Sequence, residues 1–346
     1  MISGAPVGSE FQVNTFYTGY QDSPSVAMDP NGNFVVAWGS SNQDGSGYGV
    51  YAQRFDGAGN ELGPEFLVNT QITDDQKAPS VASDSDGDFV VVWQSWSTVS
   101  SYDICMQAFG SSGNPVGLER RVNTISANEQ QDPAIAMAPD GRSIVVWTST
   151  DQDGSYDGIF GQFFDSSGAP SGSEFRVNTY TLNYQDYPAV AMDSSGKSVV
   201  VWRSVNQDGS GGGIYAQRYG SNGNAVGDEF RVNTNVTNHQ VRPSVAMDSD
   251  GDFVVVWASN LQDGSQYGIY GQRFASDGTP IGSEFQVNTY ISGNQQYPCV
   301  AANSTGAFAV IWTSDGQDGS LIGIYGQKYD NTGDRFEEEF QVNTYT

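Results

Sequence analysis

The chain repeats one short motif at a nearly constant interval. Between successive copies of Val-Asn-Thr the step is 55 residues five times and 54 residues once. The copies begin at Val13, Val68, Val122, Val177, Val232, Val287 and Val342. A fixed period of about this length is typical of a repeat architecture. Residues present in every repeat are therefore better explained as scaffold than as a unique active site.

One repeat contains four short β-type segments separated by turns. Pro24–Asp29 is apolar, Phe34–Trp38 is apolar without alternation, and Gly49–Phe55 alternates in part; Glu65–Thr70 is the fourth. A strand that is apolar at every position is covered on both faces. No segment has helical periodicity. We therefore predict an all-β fold, a six-bladed β-propeller with four antiparallel strands per blade, over a two-sheet sandwich or a β-solenoid.

The repeat phase also gives the predicted domain plan. Residues 1–346 form a single propeller, with residues 1–15 as an extra strand. The blades are approximately 16–70, 71–124, 125–179, 180–234, 235–289 and 290–344. The second strand of each blade carries a tryptophan that we expect to be buried, namely Trp38, Trp93, Trp147, Trp202, Trp257 and Trp312.

Composition excludes several classes of partner. The formal charge is −26, from 40 acidic and 14 basic residues, and such a field repels nucleic acid. No apolar run reaches the length of about 18 residues that a membrane helix needs, so we expect no membrane insertion. Cys105 and Cys299 occupy different repeat positions and are predicted to be free thiols. The chain starts in mid-repeat without a visible signal peptide, which we interpret as a segment of a longer protein.

The loop after the second strand carries a recurring Gln-Asp-Gly-Ser motif. Blade 2 lacks it. One interpretation is a ring of equivalent ligand or cation sites; the other, which we favour, is that Asp and Ser satisfy backbone donors of the loop. The predicted interaction face consists of Gln43, Asp44, Gln152, Asp153, Gln207, Asp208, Gln262, Asp263, Gln317 and Asp318.

Two hairpin turns are rich in aspartate. They are Asp84, Asp86 and Asp88 in one blade and Asp248, Asp250 and Asp252 in another. The spacing resembles a calcium loop, but the glutamate at position 12 of an EF-hand is missing. An ordinary hairpin turn is the competing interpretation. Calcium is therefore the one candidate ion, and no other cofactor is predicted.

Signals of catalysis are weak. His239 is the only histidine, so a His-rich metal site or a Ser-His-Asp triad has little basis. No nucleophile elbow or phosphate-binding loop is present. No pair of carboxylates stands out from the repeat as acid and base. The sequence thus predicts that the protein is not an enzyme.

Several phrases resemble the repeats of very large secreted bacterial and cyanobacterial surface proteins. They are Gly-Asp-Phe-Val-Val-Val-Trp at 251–257, Gly-Ile-Tyr-Gly-Gln-Arg-Phe at 268–274 and Gly-Ser-Glu-Phe-Gln-Val-Asn-Thr at 282–289. The resemblance covers essentially the whole chain. It implies an extracellular location, tandem propellers and adhesive or fibre-forming roles.

These observations predict a non-enzymatic extracellular structural or adhesive module, one unit of a tandem array or fibre. The alternative is a multivalent carbohydrate-binding propeller that stacks glycans on Tyr48, Trp96, Tyr156 and Tyr267. A glycan-cleaving enzyme is the third hypothesis.

The seven copies of the motif exceed the six fourth strands that six blades need. One terminal copy, containing Phe11 and Val13 or Phe340 and Val342, is therefore spare. We expect one copy to close the last blade and the other to add to a neighbouring subunit. A frayed chain end is the alternative.

Overall fold

The computed structural model describes residues 8–98 and 101–345, in which every helix-or-strand element is a β-strand. Twenty-four strands in these residues form six antiparallel sheets. Each sheet contains four strands that are consecutive in the sequence and adjacent in the sheet. The predicted all-β, six-bladed β-propeller is thus confirmed.

The chain divides into two compact units of three blades each. The N-terminal unit holds residues 11–98 and 101–177, and the C-terminal unit holds residues 8–10 and 178–345. Blades 1 to 3 comprise β1 Gln21–Met28, β2 Phe34–Ser41, β3 Tyr48–Phe55, β4 Phe66–Leu67, β5 Gln76–Ser83, β6 Phe89–Ser97, β7 Ser101–Phe109, β8 Pro115–Arg121, β9 Gln130–Met137, β10 Ser143–Thr150, β11 Asp157–Phe164 and β12 Pro170–Arg176. Blades 4 to 6 comprise β13 Gln185–Met192, β14 Ser198–Val205, β15 Gly212–Tyr219, β16 Ala225–Arg231, β17 Gln240–Met247, β18 Phe253–Asn260, β19 Tyr267–Phe274, β20 Pro280–Gln286, β21 Gln295–Ala302, β22 Phe308–Asp315, β23 Ile322–Tyr329 and β24 Arg335–Gln341.

The core of each unit lies between successive sheets. In the N-terminal unit, Val91 and Trp93 of blade 2 pack with Val35 of blade 1, and Trp147 of blade 3 packs with Val92 of blade 2. Equivalent clusters join blades 4 and 5 and blades 5 and 6 of the C-terminal unit. All six second-strand tryptophans are at most 4% exposed, which confirms their predicted burial.

Val-Asn-Thr ends the fourth strand rather than extending it. The side-chain Oδ1 of Asn69 accepts the Val50 N–H at 2.7 Å, where a strand would use a backbone carbonyl. The same bond links Asn123 to Ile104 and Asn288 to Ile269. The predicted strand over 65–70 is therefore too long. In blade 1 the fourth strand is shorter still, Phe66–Leu67.

The spare copy is the N-terminal one. The C-terminal copy belongs to β24, which pairs with β23 as the fourth strand of blade 6. In the C-terminal unit, Glu10 accepts the Thr344 N–H at 2.8 Å. In the N-terminal unit, the ring centroid of Phe11 lies 5.3 Å from that of Phe55. Residues 8–15 contain no strand, and their addition to a neighbouring subunit stays a prediction.

No helix in the described ranges, 8–98 and 101–345, is long and apolar enough to cross a membrane.

Candidate functional site

The repeat pattern is broken at one end of the first strands. Within each unit the first strands of successive blades contact one another, β1 with β5 and β5 with β9 in the N-terminal unit, and β13 with β17 and β17 with β21 in the C-terminal unit. Antiparallel pairing brings the start of the first strand next to the end of the second strand, and the end of the second next to the start of the third. We call the part of a blade where these three strand ends lie its inner end. The residue just before each invariant first-strand glutamine varies, and at this position stand Tyr20, Asp75, Glu129, Tyr184, His239 and Asn294.

In the N-terminal unit, two carboxylates flank one tyrosine. Tyr48 donates its hydroxyl to Asp22 Oδ2 at 3.1 Å, and Asp75 Oδ1 accepts the backbone N–H of Tyr48 at 3.1 Å. Tyr102 donates to the other oxygen of Asp75 at 3.4 Å. Asp22 comes from blade 1, whereas Asp75 begins blade 2. Asp22 therefore lies at the hydroxyl of Tyr48 and Asp75 at its backbone N–H.

Aromatic and cationic groups border these acids. The Lys77 ammonium lies 4.5 Å from the centroid of the Tyr102 ring, and Trp96 meets that ring edge-on at 5.0 Å. Burial raises the pKa of Tyr48, and so do its hydrogen bond to Asp22 and the negative charges of Asp22 and Asp75. Tyr48 thus stays a neutral donor beside two acceptors.

The C-terminal unit has different chemistry at the same repeat positions. Asp186 occupies the position of Asp22, but its Oδ1 accepts Arg203 Nε at 2.6 Å and its Oδ2 accepts a second guanidinium nitrogen. The Arg203 guanidinium also lies 5.1 Å from the Tyr187 ring. This carboxylate is therefore engaged in a two-pronged ion pair.

One position near the inner end of each blade has a left-handed backbone. It holds Ser23, Ala78, Asp132, Tyr187, Arg242 and Tyr297, with φ between 50° and 54°. Each precedes a proline and lies where the pairing register shifts. A non-glycine residue at positive φ costs on the order of 1–3 kcal/mol and is over-represented at functional sites.

Part of each Gln-Asp-Gly-Ser motif is hydrogen-bonded within the scaffold, although Oδ2 of Asp44 and of Asp208 is buried without a hydrogen-bond partner. In all five motifs Oδ1 of the aspartate accepts the N–H of the serine two residues on, as in Asp208 to Ser210 at 3.1 Å, which is the role that the favoured interpretation gives to the aspartate. The glutamine donates to a fourth-strand glutamate, as Gln207 does to Glu229 at 2.6 Å. That glutamate also accepts from Thr179 of the preceding repeat. A ligand role for this face stays a prediction.

In the two aspartate-rich turns, a carboxylate accepts hydrogen bonds from backbone N–H groups of the same turn. Asp84 Oδ1 accepts the N–H groups of Asp86 and Asp88 at 2.9 and 3.0 Å, and Asp248 serves its turn in the same way. Burial raises the pKa of both Asp84 and Asp248. Among the described residues no group of three or more His, Cys, Asp or Glu side chains is placed to hold a metal ion. Calcium binding stays a prediction.

Sequence reasoning found part of the inner end and missed the rest. Of the aromatics proposed for sugar stacking, Tyr48, Trp96 and Tyr267 lie there, while Tyr156 lies in a loop. The residues missed are Asp22, Asp75, Tyr187, Arg242 and Tyr297. The sequence feature that could have identified them is that their residue type varies between blades, next to positions that are constant.

No family model matches the chain, and no curated protein is similar to it in sequence. Solved structures are similar in fold. A protein of unknown function from Dyadobacter fermentans aligns with a TM-score of 0.60 at 12% identity, over 88% of this chain and 93% of that one. An α-L-arabinanase from Penicillium chrysogenum, complexed with arabinobiose, gives 0.58 at 16% identity, over 91% and 95%.

A third similar structure is the GH93 α-L-arabinofuranosidase of Fusarium graminearum with arabinobiose. Its TM-score is 0.57 at 11% identity, over 87% of this chain and 91% of that one. These comparisons contradict two predictions, the non-enzymatic structural or adhesive module and the absence of enzyme activity, because the similar propellers of stated activity are glycoside hydrolases. At such identities the likeness itself establishes the fold.

The physical reason for that error lies in the repeat. Scaffold residues recur seven times and dominate the sequence, whereas an acid pair assembled from Asp22 and Asp75 stands 53 positions apart in two different blades. Nothing in the spacing brings them together.

Proposed function

We propose that the protein processes glycans, and that the inner ends of blades 1 and 2 carry the reaction. The observation that carries this proposal is the placement of Asp22 and Asp75 around Tyr48, at positions where the repeat is broken. A scaffold requirement would have placed the same residues in every blade.

Glycoside hydrolysis needs two carboxyl groups, one to protonate the leaving oxygen and one to act as nucleophile or as base toward water. The two groups stand about 5–9.5 Å apart, a distance on the scale of one tyrosine side chain. In this role Asp22 and Asp75 would face the glycosidic bond from two sides. Tyr102 and Trp96 offer ring faces on which a sugar packs.

The similar solved propellers support the choice of substrate class. The arabinanase and the arabinofuranosidase are both complexed with arabinobiose. We therefore propose an arabinose-containing oligosaccharide as the first substrate to test at this end of the N-terminal unit.

Release of reducing sugar from a panel that begins with arabinan and arabino-oligosaccharides tests the proposal. We expect Asp22→Asn and Asp75→Asn each to lower kcat by about 10²-fold or more, since a positioned acid or base contributes about 10²–10⁴. Asp44→Asn is the matched control, because Asp44 belongs to the repeated loop of the same blade. Absence of turnover on every glycan, or equal loss in all three variants, would contradict the proposal.

We also propose that the protein acts outside the cell. The resemblance of its repeats to secreted surface proteins and its charge of −26 support this location. Immunodetection in culture fluid and cell fractions tests it, and a signal confined to the cytoplasm would rule it out.

Size-exclusion chromatography of the recovered protein, with and without residues 1–15, tests the proposed pairing of subunits through the N-terminal copy.

A further inference from the structure

Three residues at equivalent positions of blades 4, 5 and 6 stack into a ladder. Tyr187, Arg242 and Tyr297 belong to β13, β17 and β21 of the C-terminal unit. The Arg242 guanidinium carbon lies 3.8 Å from the centroid of the Tyr297 ring and 5.8 Å from that of Tyr187. The cation therefore lies within contact range of two aromatic rings.

The ladder presents its groups to solvent. Tyr187 is 36% exposed and Tyr297 is 57% exposed, although both stand in strands whose neighbouring glutamine and proline are buried. The backbone at the three positions is left-handed, with φ of 52°, 54° and 52°, and each position lies at the register shift of its first strand. Core packing does not account for large aromatic side chains held out in this way.

Arg242 has unused donors. Its side chain makes no hydrogen bond and no ion pair within residues 8–98 and 101–345, in a chain that has 40 acidic and 14 basic residues. Arg203 differs, because two of its guanidinium nitrogens donate to the carboxylate of Asp186. The Arg203 cation also neutralises Asp186, so that this carboxylate does not repel an anion approaching Tyr187.

From this arrangement we infer that the inner ends of blades 4 to 6 bind a carboxylated sugar. The guanidinium fork of Arg242 matches the two oxygens of a carboxylate, and the rings of Tyr187 and Tyr297 supply faces for the pyranose or furanose ring. The ligand class, an acidic saccharide such as a uronic acid oligomer, takes its sugar character from the proposed glycan function. The carboxylate specificity comes from Arg242 alone.

Isothermal titration calorimetry with trigalacturonate and with neutral galactotriose tests the inference. We expect trigalacturonate to bind wild-type protein at least about tenfold more tightly than galactotriose does. Arg242→Gln should abolish that preference, and Arg242→Lys should restore only part of it, because an ammonium lacks the planar fork. Tyr297→Ala should weaken both ligands, since it removes a stacking face. Melting temperatures establish that each variant is folded.

The matched control is Arg218→Gln, which removes the same charge from the C-terminal unit at a side chain that bonds the Ser276 carbonyl. It should leave the preference intact. Unchanged trigalacturonate affinity in both Arg242 variants would overturn the inference, as would equal binding of the two trisaccharides to wild-type protein. Tighter binding of a sulfated than of a carboxylated trisaccharide would also overturn it. Because the measurement is of binding and can be run in the Asp22→Asn background, its failure is separable from a failure of the proposed hydrolysis.

Discussion

Blades 1 and 4 place an aspartate at the same point of the repeat and use it differently. Asp22 accepts a hydrogen bond from the neutral Tyr48, whereas Asp186 is held by the cation Arg203. The second strands beside them share the apolar pattern and the tryptophan, Phe-Val-Val-Ala-Trp in one and Ser-Val-Val-Val-Trp in the other. The contrast shows that the repeat fixes where a variable residue lies. The neighbouring side chain that it contacts then determines whether its carboxylate is paired with a cation or with a neutral donor.

The same contrast extends over the two units. The inner ends of blades 1 and 2 carry carboxylates beside tyrosines, and those of blades 4 to 6 carry an arginine between tyrosines. In both units the strained residue precedes a proline. One scaffold thus presents two carboxylates at the inner ends of one unit and the guanidinium of Arg242 at those of the other.

The largest expected effect concerns the scaffold that the two units share. Trp93→Ala and Trp257→Ala each remove a fully buried side chain and should each lower the free energy of unfolding by about 3–5 kcal/mol. Urea denaturation measures both. A loss below about 1 kcal/mol in one unit would break the equivalence on which the comparison rests.

The second prediction separates the two aspartates. Asp22→Asn should leave the free energy of unfolding within about 0.5 kcal/mol of wild type, because Asp22 is exposed. Asp186→Asn should cost about 1.5–3 kcal/mol, because it removes a charged partner from Arg203, whose side chain is only 20% exposed. Denaturation and sugar release are measured on both variants. If Asp186→Asn lost activity while keeping its stability, the assignment of the reaction to the inner ends of blades 1 and 2 would be wrong.

Alkaline pH should affect the C-terminal unit more. Burial raises the pKa of five tyrosines and one cysteine there, namely Tyr215, Tyr219, Tyr270, Tyr325, Tyr329 and Cys299, against Tyr48, Tyr51 and Cys105 in the N-terminal unit. The pKa of Tyr270 rises to about 12, above the unfolded value of about 10. The native state therefore favours the neutral phenol, and this stability is present below about pH 10 and lost as the pH rises toward 12.

Limited proteolysis at pH 8 and pH 11, with the fragments of each unit identified by mass, measures this difference. Tyr270→Phe removes one ionising group and should raise the alkaline midpoint of unfolding slightly. Earlier cleavage in the N-terminal unit at pH 11 would contradict the prediction.

The smallest effect concerns the glutamates that join successive repeats. Glu229 accepts from Thr179 and from the loop residue Gln207, but Glu119 accepts from Thr70 and has no loop glutamine in blade 2. Glu229→Gln should cost about 1 kcal/mol and Glu119→Gln about half of that. Equal costs in urea denaturation would mean that the loop bond contributes little.

Much of the scaffold could be predicted because packing forces it to repeat. Trp202 stands in a strand that is apolar on both faces, and such a strand must be covered on both. The end of the fourth strand could not be predicted, since Asn69 reads as a continuation of the pattern until its side chain is seen to replace a backbone acceptor. The role of Asp75 could not be predicted either, because a single aspartate in a turn most often accepts hydrogen bonds from the turn's own backbone.

The sequence by itself determined the number of blades, the order of strands within each and the buried tryptophans. Periodicity and local apolar pattern encode these features, and both can be read along the chain. Only the tertiary structure decided which variable residues meet. Tyr187, Arg242 and Tyr297 stand 55 residues apart and become neighbours because first strands of adjacent blades lie side by side. Lateral contact between repeats is set by packing of whole sheets, which no local pattern in one repeat specifies.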